Sequence, residues 1–373
     1  MIGGEIEIDP AYVPPPQGAS LAELFLLLPG RHASFGTARE AVRWWIEQLK
    51  PRGTMLLPAY CCSAVVQPFR EAGVPCRFYP VNSQLQVDLV ALRPLLDAAA
   101  AIQVIHYFGF PAADEVFKLG IPVLEDAVQA LLDPDRRAQG DWAIASLRKF
   151  LPVPDGAFLW SRQPFVSPDL PAARGGLYGR KLFFRMLKHA AVCQQDTVSW
   201  WRANDGLIAT EDALAAPVTP QGLSELTRET LRGSDLRAIA HRRRANYETL
   251  YAKLFGQPPS ADPDAPSPMA NRSTQQLSSP ATALIKPLFA ALPPGVIPYG
   301  LPILCAERAA LKNHLQEHGI YPVVHWELPD EISREAFPDA WWLSERILTL
   351  PVDQRYGQPE MAYIADAIAA FPG

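Results

Sequence analysis

Ile121-Pro122-Val123-Leu124-Glu125-Asp126-Ala127-Val128-Gln129-Ala130 is the stretch on which the fold turns. A short apolar run begins at a proline and stops at two acids. A run with no alternation of apolar and polar residues suits a strand covered on both faces, the setting of a parallel sheet between helices. An ionised carboxylate ending such a strand needs a cation or several donors. In an open α/β sheet, ligands sit beyond the carboxyl ends of the strands. Asp126 therefore has two readings at this point, as the N-cap of the residues that follow or as a ligand-binding acid.

The same rhythm extends outward in both directions. Upstream, Thr54-Met55-Leu56-Leu57 stopped by Pro58, Cys76 to Pro80, and Ala101 to His106 read as strands; downstream, Trp142 to Leu147 and Ala157 to Trp160 do. A helix starting near Ser34 to Thr37 fits Ala41, Val42, Trp45, Ile46 and Leu49 and ends at Pro51-Arg52-Gly53. Ser63 to Ala72, closed by Gly73, and Leu89 to Ala99 are further helices. Over about 130 residues the alternation predicts an α/β domain with a mostly parallel, doubly covered sheet. Beyond residue 165 one long helix is expected from Leu223 to Leu254, then a Pro/Ser/Asp/Gln-rich loop or linker over 256–280. A smaller α/β unit follows, with a strand at Leu301 to Cys305, a helix from Glu307 to His318, a strand at Tyr321 to His325 and a final helix from Pro359 to Ala370. The expected organisation is an irregular arm over 1–29, a large domain over 30–240 and a small C-terminal domain over 241–373.

Composition narrows the function. The chain has 373 residues, 49% hydrophobic and 20% charged, a globular balance with ample core. With 34 Lys+Arg against 39 Asp+Glu the net charge is −5, which leaves no basic excess for nucleic acid. The one basic run, His241 to Arg244, sits in a helical pattern and reads as a solvated face. No apolar run reaches the ~18 residues of a membrane span. The first twenty residues, with Glu5, Glu7, Asp9 and three consecutive prolines, do not resemble a signal peptide. Five cysteines without CxxC spacing argue against disulfides and zinc, so a cytoplasmic protein with no metal centre is expected.

The polar residues ending the apolar runs are His106, Glu125, Asp126, Ser146 and Lys149. Lys149, just past a strand and followed by Phe150-Leu151-Pro152, is either a snorkelling lysine or an amine whose pKa is lowered by partial desolvation, and so nucleophilic. Gly36-Thr37-Ala38 opens a helix, as a simple cap or as a seat for a phosphate.

A phosphate seat early, an acid ending a middle strand and a lysine some twenty residues later resemble the order found in fold-type-I pyridoxal-phosphate (PLP) enzymes, above all the DegT/DnrJ/EryC1/StrS sugar aminotransferases. Phe35-Gly36-Thr37-Ala38 resembles that family's phosphate motif, His106-Tyr107-Phe108-Gly109 its His-x-x-Gly, and Glu125-Asp126-Ala127-Val128-Gln129-Ala130 its Glu-Asp-Ala-Ala-Gln-Ala. Gly140-Asp141 through Ser146, Lys149 and Gly156, then Arg243-Arg244 with Tyr247, Gly319-Ile320 and Leu348-Thr349-Leu350-Pro351, carry the likeness to the C-terminus. The resemblance implies an aspartate-aminotransferase-like fold and a cytoplasmic homodimer that moves an amino group from an amino acid to a keto sugar, nucleotide-linked as a rule, in the family's usual setting of polysaccharide biosynthesis. It implies Lys149 as the residue bonded to PLP and shuttling the α-proton, and Asp126 as the partner of the pyridinium nitrogen. Gln129 then lies near the phenolic oxygen, and Gly36, Thr37, Ala38 and Ser146 bind the phosphate. Cys62 stands where the family has an aromatic stacked on the ring, with Tyr60 as a substitute. Two residues fewer than usual separate Ser146 from Lys149, and the family's Tyr-Asn-x-Arg segment has no clear counterpart. Arg148, Arg174, Arg180 and Lys181 are candidates for an anionic acceptor, and the aromatic-rich Lys181 to Trp201 is a dimer interface, a cover over the site or buried within its own subunit. A PLP enzyme of this fold catalysing elimination, or a non-catalytic relative, is the alternative.

Overall fold

The computed structural model describes residues 1–11, 31–130, 138–173, 175–214, 216, 219–256 and 284–373. Most of the expected arm, nearly all of the 256–280 loop and Arg174 lie outside the described residues. Strand β1 (Ile2–Gly3) is set apart from the central sheet. That sheet has seven strands: β2 (Arg31–Phe35), β3 (Thr54–Pro58), β4 (Cys76–Tyr79), β5 (Ala99–Ile105), β6 (Val123–Asp126), β7 (Trp142–Ser146) and β8 (Ala157–Ser161). Their order is 2-8-7-6-5-3-4. Strands β4, β3, β5, β6 and β7 pair in parallel, and β8 runs antiparallel to both β7 and β2. The register sets Ile105 beside Asp126 and Asp126 beside Ile144, so β5 and β6 end level and β7 runs on two residues to Ser146. Strands β6, β7 and β8 are buried along their whole length, as continuous apolar runs require.

Helix α1 (Ala38–Leu49) begins later than its apolar spacing suggests, because Arg31–Phe35 pairs with β8 as an edge strand. A capping box sets its start: Thr37 Oγ1 accepts from Glu40 N at 3.2 Å, and Thr37 N donates to Glu40 Oε2 at 2.8 Å. Helix α2 (Ser63–Glu71) leads into β4. The helix expected over Leu89–Ala99 is shorter. Only Leu89–Leu92 (α3) is α-helical, and Pro94 tightens the rest into a 3-10 turn over Arg93–Ala98.

Helices α4 (Gly176–Gln194) and α5 (Thr197–Ala213) form a hairpin laid over the carboxyl edge of the sheet. They approach closely at Gly206, where a Cβ would lie 2.3 Å from the Phe184 ring. The long helix expected over 223–254 is two, α6 (Glu225–Gly233) and α7 (Leu236–Phe255). The chain breaks at Ser234-Asp235, where Asp235 caps the amide of Ala238 at 2.9 Å. Helix α7 runs through residues 240 and 241 without interruption.

The C-terminal unit holds an antiparallel sheet of β9 (Ile285–Pro287), β10 (Leu301–Cys305) and β12 (Ile347–Leu350), with helices α8 (Arg308–Glu317), α9 (Pro338–Arg346) and α10 (Gln358–Ala369). The strand expected over 321–325 is reduced to β11 (Ile320–Tyr321), which pairs in parallel with β1; Val323 makes a single bridge to Thr349. Strand β1 thus straps the first residues to the C-terminal unit, while residues 4–11 of the expected arm have neither helix nor strand. Lys188 Nζ donates to Gly3 O at 3.1 Å, and Trp200 of α5 stacks on Tyr321 at 3.8 Å.

Candidate active site

Thr37, Ala38, Cys62, Asp126, Ser146 and Lys149 surround one cavity of about 130 Å³ at the carboxyl ends of the parallel strands. Each arrives there through the end of an element: Thr37 and Ala38 at the start of α1, Cys62 at the N-cap of α2, Asp126 and Ser146 as last residues of β6 and β7, Lys149 in the 3-10 turn after β7. Lys149 and Arg148 also face a second cavity of about 320 Å³ between the sheet and the C-terminal unit, with Arg243, Tyr299, His325 and Glu211 among its walls.

Asp126 is buried. Its Oδ1 accepts from Val128 N at 3.1 Å and its Oδ2 from Gln103 Nε2 at 3.0 Å. Burial raises its pKa to about 6 against the pull of these donors and of Lys149. Asp126 closes a turn with Val128, no helix follows over residues 127–130, and the carboxylate faces the cavity. Its neighbour Glu125 points to the opposite side, as alternation along a strand demands, and meets His106 at 3.5 Å. His106 Nδ1 accepts from Ala112 N at 3.1 Å, which ties it to a loop outside the cavity.

Lys149 departs from its expected electrostatics. Its side chain stands exposed in the cleft, and its pKa is raised, first by Tyr299 and then, against burial, by Glu211 and Glu5. Phe150, Leu151 and Pro152 do not dry it: Phe150 turns away to carry the Arg243 guanidinium 4.8 Å above its ring. The turn itself is pinned from three sides. Arg185 donates to the carbonyls of Arg148 and Leu151, both at 3.3 Å, and Gln354 donates to that of Phe150 at 2.6 Å. His325, opposite Lys149, is neutral: burial, then Lys149, lowers its pKa to about 3, and its Nδ1 meets Thr349 Oγ1 at 2.8 Å.

Three of the residues expected at the cofactor are not cavity walls. Gln129 turns its Oε1 to the amide of Phe108 at 2.8 Å, shaping the turn after β5. Gly36 contributes backbone to Gln221 and Gly156, and a Cβ there would lie 2.2 Å from the Tyr178 hydroxyl. Tyr60 is buried with its hydroxyl on His325 O, so it does not face the cavity as a stacking ring. Cys62 does face it, and burial raises its thiol pKa. Arg180 lies exposed on α4 and lines neither cavity. Lys181 is buried between Glu5 and Glu211, at 2.8 and 2.6 Å.

Several residues on the site escape a reading of motifs. Gln103, the donor to Asp126, could have been found as the lone polar residue of an apolar strand, Ala99–Ile105. Arg39 follows Gly36-Thr37-Ala38 directly and lines the cavity. Glu211 lines both cavities, and no local pattern on α5 marks it.

The residues fit a pyridoxal phosphate. A buried carboxylate suits a protonated ring nitrogen, and an amine stands beside it. The amides of Ala38 and Arg39 have no acceptor among the described residues, nor does the Ser146 hydroxyl have a partner, which leaves donors for a phosphate at the start of α1.

No protein-family model matches the chain, and no curated protein matches it. Solved structures do. The sugar aminotransferase CalS13 from Micromonospora echinospora is 16% identical, with 99% of this chain and 100% of that one covered and a TM-score of 0.63. A DegT DnrJ EryC1 StrS aminotransferase from Brucella abortus is 16% identical over 92% of this chain and 86% of its own, at a TM-score of 0.59. A Streptococcus pneumoniae protein in its PMP form is 14% identical over 99% and 93%, at 0.67. Among the described residues no helix is long and apolar enough to cross a membrane. The chain has the fold of these aminotransferases, fold type I of the PLP-dependent transferases.

Proposed function

We propose that this chain is a PLP-dependent aminotransferase that carries an amino group from an amino-acid donor to a keto sugar, nucleotide-linked as a rule. The observation that carries this reading is the convergence of Lys149, Asp126, Ser146 and the start of α1 on one cavity. The likeness in fold to sugar aminotransferases supports it and favours transamination over elimination.

Bound here, PLP supplies an electron sink for the bonds at the substrate's α-carbon. Asp126 would hold the ring nitrogen and favour its protonated form, and Gln103 orients that carboxylate. Lys149 would hold the cofactor's aldehyde carbon, and its amine would carry the α-proton. Its exposure to both cavities lets one amine serve donor and acceptor in turn. Thr37, Ala38 and Ser146 hold the phosphate. Arg148 and Arg243 give the larger cavity a positive wall suited to an anionic acceptor. The outer face of the α4–α5 hairpin exposes Phe183, Val198, Trp201 and Ile208, a surface suited to a second copy in a cytoplasmic homodimer.

Borohydride reduction of the PLP-loaded protein, followed by peptide mapping, is expected to label Lys149. Lys188 is the control, since burial lowers its pKa to about 7 while its amine is held on backbone carbonyls. Labelling of Lys188 or Lys181, or of no lysine, overturns the proposal. L-Glutamate added to the loaded enzyme should yield PMP and 2-oxoglutarate. Failure of every amino donor, with turnover of a substrate by loss of a leaving group, favours elimination instead.

A further inference from the structure

Around the cavity, cations outnumber the anions that hold them. Arg39 Nη2 donates to Glu211 Oε1 at 2.8 Å, and Arg148 spans both carboxylate oxygens at 2.8 and 3.3 Å. Lys181 reaches Glu211 at 2.6 Å and Glu5 at 2.8 Å, and Arg185 reaches Glu5 at 2.7 Å. Arg39, Lys181 and Arg185 are buried, and Arg148 nearly so, so four cations kept from solvent share two carboxylates, Glu211 and Glu5, that are themselves 40% and 33% exposed. Arg148 Nε is buried and without a hydrogen-bond partner among the described residues. An unpaired donor on a buried guanidinium is costly, and an excess of two positive charges is the complement of a phosphate dianion.

The cluster touches the site. Arg39, Arg148 and Glu211 all line the cavity that holds Lys149, next to the acceptor-less amides of Ala38 and Arg39. Glu211 and Arg148 also line the larger cavity, so their ion pair stands between the two.

We propose that Arg39 and Arg148 are the cationic half of the phosphate seat, and that Glu211 is a latch that holds both guanidiniums until the phosphate ester of the cofactor takes them. This rests on the PLP reading above. Glu211 is suited to the part because it can let go without being stranded: Lys181 also bonds its Oε2, the oxygen it shares with Arg148 Nη1, and stays when the arginine leaves. The arginines are suited because each guanidinium presents a fork of donors that fits a phosphate as well as a carboxylate. The latch keeps the cations paired in the empty protein and confines tight binding to ligands that bring their own dianion.

The test uses the cofactor-free protein titrated with PLP and with pyridoxal, which has the same ring and aldehyde but no phosphate. Binding is read by visible absorbance and by the shift in melting temperature. Arg39→Gln should weaken PLP by at least about tenfold, the worth of a charge-assisted hydrogen bond, and leave pyridoxal within about twofold. Glu211→Gln should tighten PLP several-fold with pyridoxal unchanged. If that variant does not fold, Glu211→Asp, whose shorter side chain cannot span both arginines, carries the same expectation. Equal effects on the two ligands, or weaker PLP binding on loss of Glu211, would make the cluster a strut and overturn the latch. Wild-type protein that binds no PLP removes the functional reading along with it, whereas normal PLP binding by both variants removes the latch alone.

Discussion

The site has two faces built on different physics. The sheet face offers Thr37, Cys62, Asp126, Ser146 and Lys149 from the ends of strands and helices. The hairpin face offers Lys181, Arg185 and Glu211 from α4 and α5, with Glu5 from the N-terminal strap. On the hairpin face carboxylates are over-served: Arg185 and Lys181 hold Glu5 down at about 2 against burial, and Arg148 and Lys181 hold Glu211 well below the carboxylate range. On the sheet face the balance is reversed, because burial outweighs the donors to Asp126 and lifts it to about 6. A carboxylate left short of a cation belongs to a site that expects one from its ligand; a carboxylate ringed by cations is a brace. The following substitutions test that contrast.

Asp126→Asn should have the largest effect on turnover, more than ~10²-fold, since it removes the anion that stabilises a ring proton while keeping shape. Stability should move the other way. A carboxyl whose folded pKa exceeds its unfolded value favours folding below the unfolded value, and that advantage is lost as pH rises through the folded one. For Asp126 the window runs from 3.8 to about 6. At about 1.4 kcal/mol per pKa unit, the cofactor-free wild type should lose roughly 3 kcal/mol across that window relative to the Asn variant. Urea melts of both proteins at pH 4 and pH 7 measure it. Parallel curves would mean that Asp126 is as well served as Glu211 and would erase the distinction between the faces.

Arg185→Met should show the converse, a large loss of stability and a smaller loss of rate. The guanidinium is buried, holds Glu5 at 2.7 Å and braces two carbonyls of the lysine turn. Removing it leaves Glu5 to Lys181 alone and takes a donor from the carbonyls of Arg148 and Leu151, at a cost of about 3 kcal/mol in urea unfolding. Turnover should fall about tenfold through kcat, as expected when a lysine is slightly misplaced rather than removed. An activity loss rivalling that of Asp126→Asn would make Arg185 part of the chemistry.

The sheet face was legible because its residues are placed by backbone register. Once Val123–Asp126 and Trp142–Ser146 are read as parallel strands, their last residues come out at the same edge of the sheet, and the short turn after Ser146 brings Lys149 beside them. The start of α1 was legible for a similar reason, a cap within a few residues, although the edge strand before it was not: Arg31–Phe35 depends on a partner more than 120 positions away. The hairpin face was illegible because nothing local announces it. Arg39 and Glu211 are 172 positions apart, Glu5 and Arg185 180. A lone Glu on a helix reads as solvated until tertiary packing delivers three cations to it. Lys149 fell between the two cases. Its position followed from the strand, but its environment was misread from Phe150, Leu151 and Pro152, whereas distant Tyr299 and Glu211 set its charge.

That correction has a kinetic consequence. Covalent capture of PLP requires the neutral amine of Lys149, and the raised pKa keeps it protonated at neutral pH. Mixed with PLP, the cofactor-free protein should bond to it about tenfold faster for each pH unit, with no plateau below the ordinary lysine range. Stopped-flow absorbance from pH 7 to 9.5 follows it. A plateau near neutrality would restore the dry, depressed lysine and assign Tyr299 no part in the site.

Gln103→Leu should have the smallest effect and is the most specific to the sheet face. Among the described residues, Gln103 Nε2 is one of two hydrogen-bond donors to the Asp126 carboxylate and Gln103 Oε1 is buried without a partner, so the amide is retained at a cost in solvation. Leucine fills similar space and removes that cost, so stability should change little. The carboxylate, left with Val128 N alone, should titrate higher still. The acid limb of the rate profile should then move up by less than about one pH unit, with rate lost several-fold at pH 6 and nearly recovered at pH 8. A uniform loss at every pH would mean that Gln103 holds the ring or the substrate directly; no shift at all would mean that Val128 N suffices to orient Asp126.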